Sequence, residues 1–245
     1  MHRLQLILVI SLLAAGLLQG SPAAVARART NSTCGHRAFK VSHFQKAELV
    51  MSCRALAEVI AYFQSIGFKF EPRGSLTFRQ NVIDVSGRIP VGGTRGFYDE
   101  RASKIVIFRS AKSRPWGLRW NSELAASFLR HELVHMAVRL ILGDDYTRLR
   151  PEWHEFIAYS VQFELMSPAL RESVLSKHSD IMEFASLEGI NEFTSRMDPT
   201  IFSIASYKTY LNNGSEQLVR RLLQFDLRPP PMSYPFVVLP GQIPE

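Results

Sequence analysis

The stretch NSELAASFLRHELVHMAVRLILG, residues 121–143, carries the pattern on which the interpretation of the whole chain depends. Apolar residues recur in it at helical spacing, which predicts one helix over residues 120–142. Asn121 or Ser122 can cap its start, and Gly143 ends it. One apolar stripe is formed by Leu129, Leu133, Met136 and Leu140.

Within this helix the five residues HELVH place His131 and His135 one turn apart. Residues four apart lie on one helix face, with Cβ atoms about 5–6 Å from each other. Two imidazoles at that separation can share one tetrahedral zinc ion, whose Zn–N bonds are about 2.0–2.1 Å long. Glu132 lies at the rim of this face, where it can hold a water molecule. The spacing therefore predicts a metal site with an acid–base residue beside it.

A catalytic zinc ion needs a third protein ligand and an open position, and the chain offers more than one candidate. The metzincin pattern is excluded, because Val138 and Ile141 stand where it requires Gly and His. Asp144 and Asp145 could reach back from the end of the helix, although their surroundings are typical of a turn. A following helix, PEWHEFIAYSVQ, offers Glu155 instead, with residues 136–154 between it and the second histidine.

The remaining patterns predict an α+β fold, with a small N-terminal mixed sheet and a mainly helical C-terminal half. Residues 27–44 are expected to be an extended leader, and residues 75–85 a strand. A hairpin is predicted from Gly96, Phe97 and Tyr98 to residues 104–108. Further helices are predicted over residues 45–66, 151–166, 168–177, 187–196, 200–212 and 215–225.

HELVH followed by a glutamate on the next helix resembles the gluzincin branch of zinc metallopeptidases. Many members carry a P-x-W-x-x-E-G-x-A segment at the third ligand, and this chain departs from it twice. One residue is missing between the Trp and the Glu, and Phe156 replaces the Gly, so Glu152 remains a lesser alternative. The residues that match are Pro151, Trp153, Glu155 and Ala158.

The resemblance covers about residues 95–225 and implies a zincin-like fold with one zinc ion. It implies that His131, His135 and Glu155 are the ligands and that Glu132 is the general base. A further side chain usually steadies the oxyanion, and Tyr159 and Tyr207 are both candidates between which the sequence does not choose.

The segment GFYDERASKIVIF is similar to the hairpin that precedes the active-site helix in gluzincins. The edge strand of that hairpin receives the substrate backbone, a role that falls here on Gly96, Phe97 and Tyr98. The resemblance implies a secreted zinc peptidase that acts on a peptide or protein. Two alternatives are a non-catalytic peptide- or envelope-binding module with a structural metal, and an enzyme that hydrolyses a non-peptide amide.

Residues 1–26 have the layout of a secretory signal peptide: a positive start, an apolar run over residues 4–18 and a small-x-small site ending at Ala26. The run of about fifteen residues is short for a membrane span of about 20, although an uncleaved anchor is the alternative. We therefore expect an exported protein without a stable membrane span. Since the resemblance is mostly to bacterial proteins, the expected location is the bacterial periplasm.

The mature chain is expected to form one domain over residues 27–227, followed by an extended, proline-rich tail over residues 228–245. Its two cysteines, Cys34 and Cys53, predict a disulfide, because an exported chain folds under oxidising conditions. The net charge of +7 falls to +6 once Arg3 is removed with the signal peptide. Lys and Arg are scattered without a dense basic block, so no nucleic-acid partner is expected.

Overall fold

A computed structural model describes residues 29–79, 95–109 and 114–227 of the protein. The predicted signal peptide, the second half of the strand predicted over residues 75–85 and the proline-rich tail lie outside these residues. The strands are β1 (Thr30–Thr33), β2 (Phe39–His43), β3 (Gly74–Arg79), β4 (Gly96–Asp99) and β5 (Lys104–Phe108). The helices are α1 (Lys46–Ser65), α2 (Ser122–Leu142), α3 (Pro151–Glu164), α4 (Pro168–Lys177), α5 (Glu192–Met197), α6 (Pro199–Asn212) and α7 (Glu216–Leu223).

The five strands form one mixed sheet in the order β1-β2-β3-β5-β4. The inner pairs β2–β3 and β3–β5 are parallel, whereas the outer pairs β1–β2 and β4–β5 are antiparallel. Leu76 and Phe78 of β3 are buried together with Ile105 and Ile107 of β5, so these two strands form the centre of the sheet. The predicted α+β class is confirmed, as is the hairpin, whose strand β4 lies at the edge of the sheet.

The extended leader predicted over residues 27–44 is wrong in part, because it contains β1 and β2. Phe39, Val41 and His43 of β2 are all buried, and β2 pairs with β3 on one side and β1 on the other. The helix predicted over residues 187–196 is also wrong in part. A 3₁₀ turn, Leu187–Gly189, is followed by a break, and Asn191 then caps the short helix α5 with its side chain.

Helix α2 runs through the middle of the molecule and contacts α1, α3, β4 and β5. Every residue from Ser127 to Val138 is buried, which is typical of a helix enclosed on all sides. As predicted, Asn121 caps its start, accepting a hydrogen bond from the N–H of Leu124, and Gly143 ends it. None of the helices in the described part of the chain is long and apolar enough to cross a membrane.

The predicted disulfide between Cys34 and Cys53 is present. Cys34 lies just after β1, and Cys53 lies in the second turn of α1. The bond therefore ties the start of the sheet to the helix that packs against it. A cross-link that closes a loop of this length stabilises a protein by about 3 kcal/mol in the chain-entropy model.

Candidate metal centre

Two polar stripes face each other across the interface between α2 and α3. The six-residue 3₁₀ segment Gly143–Arg148 reverses the chain between these helices, so that α3 returns along α2. Residues three or four positions apart lie on the same face of a helix. The spacing within each helix therefore produces its stripe. The stripe on α2 consists of Ser127, His131 and His135, and the stripe on α3 consists of Glu155, Tyr159 and Gln162.

Three side chains from these stripes converge. The Nε2 atoms of His131 and His135 lie 3.1 Å apart, and they lie 3.3 and 3.4 Å from the two carboxylate oxygens of Glu155. Two ligands of one tetrahedral zinc ion, each bound at about 2.0–2.1 Å, are about 3.3–3.4 Å apart. The spacing of the donor atoms therefore fits a divalent ion, and His131, His135 and Glu155 could hold one.

A second layer of hydrogen bonds orients His131. Its Nδ1–H donates to Oε1 of Gln162 at 3.1 Å, and Nε2 of Gln162 donates to Oγ of Ser127 at 2.9 Å. All three side chains are buried. In the tautomer that carries its proton on Nδ1, the lone pair of Nε2 points towards His135 and Glu155, as a metal ligand requires.

The two histidines and the carboxylate perturb one another strongly. Burial by itself raises the pKa of Glu155, but the neighbouring histidines outweigh it and lower this pKa to about 2. Burial lowers the pKa of His135 to about 4. The pKa of His131 is raised, because its hydrogen bond and charge interaction with Glu155 outweigh burial. The site therefore presents an ionised carboxylate and a neutral His135 near neutral pH.

Glu132 lies between the candidate metal ligands and the edge strand β4. Burial, reinforced by the charge of Glu155, raises its pKa to about 7, although His131 and a hydrogen bond with the backbone of Tyr98 oppose the shift. The backbone of β4 approaches closely, because a Cβ atom added to Gly96 would lie 3.2 Å from Cγ of Glu132. The structure thus places the carboxylate beside the strand predicted to receive substrate.

Of the two tyrosine candidates, only Tyr159 reaches this region within the described part of the chain. Its ring packs on the ring of His131, with centroids 4.4 Å apart. Burial, together with the charges of Glu155 and Glu132, raises its pKa far above the ordinary value, so its hydroxyl keeps its proton. Tyr207 instead donates to Glu164 at 3.3 Å and stacks on Phe163, so it does not line the cleft.

The other acidic candidates for the third ligand lie elsewhere. Asp144 and Asp145 belong to the 3₁₀ segment and are exposed, and Asp145 pairs with Arg148. Glu152 is buried, but its Oε1 atom pairs with Nε of Arg150 at 3.0 Å. Neither aspartate nor Glu152 joins the three converging side chains, whose carboxylate is that of Glu155.

Comparison with known proteins places the chain in a family. Residues 39–227 match the model described as "Family of unknown function (DUF6639)". The chain belongs to this family. No match was found among curated proteins or among solved structures. The matched residues of the DUF6639 protein extend from β2 to the end of the described chain, so they include both polar stripes.

The converging side chains of the DUF6639 protein open into a cleft of about 980 Å³. The edge strand β4 lines one side, and the end of α5 with the start of α6 lines another. The carboxylate of Glu155 is reachable from solvent, since its side chain is 40% exposed. A small molecule or an extended chain can therefore approach the three donor atoms.

Three residues of this DUF6639 centre are absent from the sequence-based prediction: Ser127, Gln162 and Arg95. Ser127 lies four residues before His131, and Gln162 lies seven residues after Glu155, so helical spacing alone could have indicated both. No local pattern indicates Arg95, which precedes β4 and lines the cleft. Its place depends on how the hairpin packs against α2.

Proposed function

We propose that the protein is a secreted zinc-dependent peptidase in which His131, His135 and Glu155 hold one zinc ion and Glu132 is the general base. One observation carries this proposal: three side chains converge with their polar atoms 3.1–3.4 Å apart, and a second carboxylate, that of Glu132, lies beside them. A purely structural zinc site is closed by four protein ligands, whereas three ligands leave a position for substrate or water.

The reaction needs a proton to move from water to the departing amine. When bound, a zinc ion lowers the pKa of its water molecule to about 7 and polarises the scissile carbonyl. Glu132 takes the proton of the attacking water and returns it to the leaving nitrogen. Burial raises the pKa of Glu132 above that of an ordinary glutamate, which favours a carboxylate that can both accept the proton and return it.

In this proposal, Tyr159 and the edge strand β4 also assist the reaction. The hydroxyl of Tyr159 donates to the oxygen on which negative charge develops, since it stays protonated and lies against His131. The edge strand β4 pairs with β5 on one side only among the described residues. Its backbone at Tyr98 faces Glu132, so a substrate chain that adds to this edge brings its amide to the general base.

Export to an oxidising compartment, the bacterial periplasm in this proposal, is supported by the disulfide between Cys34 and Cys53. Disulfides persist in such compartments and are rare in the reducing cytosol. The same compartment offers peptides and envelope proteins as substrates.

The test measures metal content and turnover together. Purified protein is expected to contain one zinc ion per chain and to cleave members of a broad peptide library. Glu132→Gln should keep its zinc while kcat falls by about 10²–10⁴-fold, because only proton transfer is removed. Glu155→Ala should lose most of the zinc, and the matched control Glu152→Gln, on the same helix, should retain it.

The outcomes separate the alternatives. Bound zinc without cleavage of peptides or of non-peptide amides favours the non-catalytic binding module. Bound zinc with cleavage of non-peptide amides alone favours the amide-hydrolysing enzyme. Protein that fails to bind zinc or another divalent ion, although it is folded, contradicts the proposal altogether.

A further inference from the structure

Arg95 is a positive charge inside the cleft, at the start of the edge hairpin. Its carbonyl oxygen accepts a hydrogen bond from the N–H of Phe108 at 2.9 Å, which fixes its backbone to β5. Its guanidinium carbon lies 5.2 Å from the ring centroid of Phe128, one turn before His131 on α2. Arg95 and Phe128 line the same cleft as the three converging side chains.

This guanidinium has no acidic partner within 4.0 Å in the described part of the chain. Its Nε atom is buried and makes no hydrogen bond to any residue that the structure describes. Burial lowers the pKa of Arg95, and Tyr159 is the group that opposes this shift. An arginine keeps its charge in proteins, and a buried charge without a partner is costly. The ring face of Phe128 compensates only part of that cost.

Two other arginines, one on α2 and one at the cleft, contrast with Arg95, because each pairs with a carboxylate. Arg130 pairs with Glu58 at 2.6 Å, although it lies on the same helix as the candidate metal ligands. Arg196 lines the same cleft, is 78% exposed and pairs with Glu192 at 2.8 Å. Among the described residues, these two arginines are thus each neutralised by a carboxylate, whereas Arg95 is not.

Among the described residues, no acidic group of the cleft forms an ion pair with Arg95. The negative charges of Glu132 and Glu155 together match the two positive charges of a divalent ion. Glu100 is exposed, and its charge acts on Tyr98, Tyr146 and His154 at the other side of the cleft. Arg95 lies instead on the side of Tyr159, the group whose charge acts on it.

We infer that Arg95 binds a carboxylate of the substrate close to the scissile amide, so that the protein prefers peptides with an acidic group at that place. This inference rests on the proposed peptidase function. The planar fork of an arginine matches a carboxylate with two parallel hydrogen bonds. The carboxylate is either the free C-terminus of the peptide or an Asp or Glu side chain next to the cleaved bond.

Three peptides of one sequence distinguish these sources: one with a free C-terminal carboxylate, one amidated, and one amidated with Asp beside the cleaved bond. We expect kcat/KM for one of the two acidic peptides to exceed that for the neutral peptide at least tenfold. Arg95→Gln should bring this ratio close to one, and Arg95→Lys should lower it partially. The control Arg196→Gln should keep the wild-type ratio, because that side chain already has its own carboxylate.

A binding measurement keeps the inference testable without turnover. Two zinc-loaded variants are compared: Glu132→Gln and the double variant that also carries Arg95→Gln. Thermal unfolding first shows that both are folded, and each is then titrated calorimetrically with the same peptides. The double variant should bind the acidic peptide at least tenfold more weakly. Cleavage without a preference for the acidic peptides, or a ratio unchanged by Arg95→Gln, overturns the inference while leaving the peptidase function intact. Carboxylate-dependent binding without any cleavage overturns the peptidase function instead.

Discussion

The Nδ1 atom of His131 lies 3.1 Å from Oε1 of Gln162, and this hydrogen bond fixes which ring nitrogen faces the candidate metal centre. Gln162→Leu removes the acceptor and leaves a buried N–H without a partner. We expect the affinity for zinc to fall about 10–100-fold, as is usual when such an orienting partner is lost. Competition with a chelator of known affinity measures the change.

Gln162→Glu is the matched control for this prediction, because it keeps an oxygen that accepts from His131. It should retain zinc affinity within a few-fold of wild type. Equal zinc affinity in Gln162→Leu and wild type would contradict the orienting role.

Tyr159 is expected to act in turnover and not in folding. Tyr159→Phe removes the hydroxyl while the ring can keep its packing on His131, so kcat should fall about 10²–10³-fold with zinc content unchanged. Tyr207→Phe provides the comparison, since that hydroxyl bonds to Glu164 away from the cleft. It should keep its activity and lose about 1 kcal/mol of stability. Steady-state kinetics that show the opposite order would rule out Tyr159 as the donor.

Gly96 sets the distance between the edge strand β4 and Glu132, the proposed general base. The methyl group of Gly96→Ala would lie 2.9 Å from the carbonyl oxygen of Val106 and 3.2 Å from Cγ of Glu132, so β4 must shift. A displacement of this kind near reacting groups costs up to about 10²-fold in rate. We therefore expect kcat/KM to fall at least tenfold with zinc binding retained. A variant with wild-type kinetics would show that the strand does not position substrate.

Zinc affinity should fall as the pH is lowered, because protons compete with the ion for the same ring nitrogen. The pKa of His131 is raised by Glu155, so below this pKa each bound ion displaces one proton. His135, with its pKa lowered to about 4, and Glu155, at about 2, are already deprotonated at mildly acidic pH. The apparent affinity should thus fall about tenfold or more per pH unit below about pH 6.5, the ordinary pKa of a histidine. Calorimetric titrations at several pH values measure this change, and an affinity that does not vary with pH in this range would contradict the assignment.

The disulfide should contribute to stability but not to the chemistry of the site. Replacing both Cys34 and Cys53 by Ser is expected to lower the free energy of unfolding by about 3 kcal/mol, because the unfolded chain gains freedom. Urea unfolding followed by circular dichroism measures this change. Zinc content at low temperature should match that of wild type, and an unchanged urea midpoint would show that the bond constrains little.

The helical patterns of this chain were strong enough to predict most of its helices. In α2 the apolar spacing, the cap at Asn121 and the stop at Gly143 all indicate the same helix. When several local signals agree in this way, the predicted element is usually correct. The strands β1 and β2 escaped prediction, because a short strand acquires its stability from neighbours that are distant in sequence. Thr30 pairs with His43, and Phe39 pairs with Gly74.

By itself, the sequence determined which two imidazoles share a helix face and which carboxylate stands beside them, since helical spacing fixes both. It left the third donor open between the aspartates after α2 and the glutamates of α3. Only the tertiary structure identified Glu155 as the third donor, because the turn after α2 brings α3 back along α2. It also decided what surrounds the three donors: Gln162 behind His131, the edge strand against Glu132 and Arg95 in the cleft. These relationships join residues that are far apart in the chain. They therefore depend on how helices and strands pack together, which the sequence pattern of a single helix or strand does not reveal.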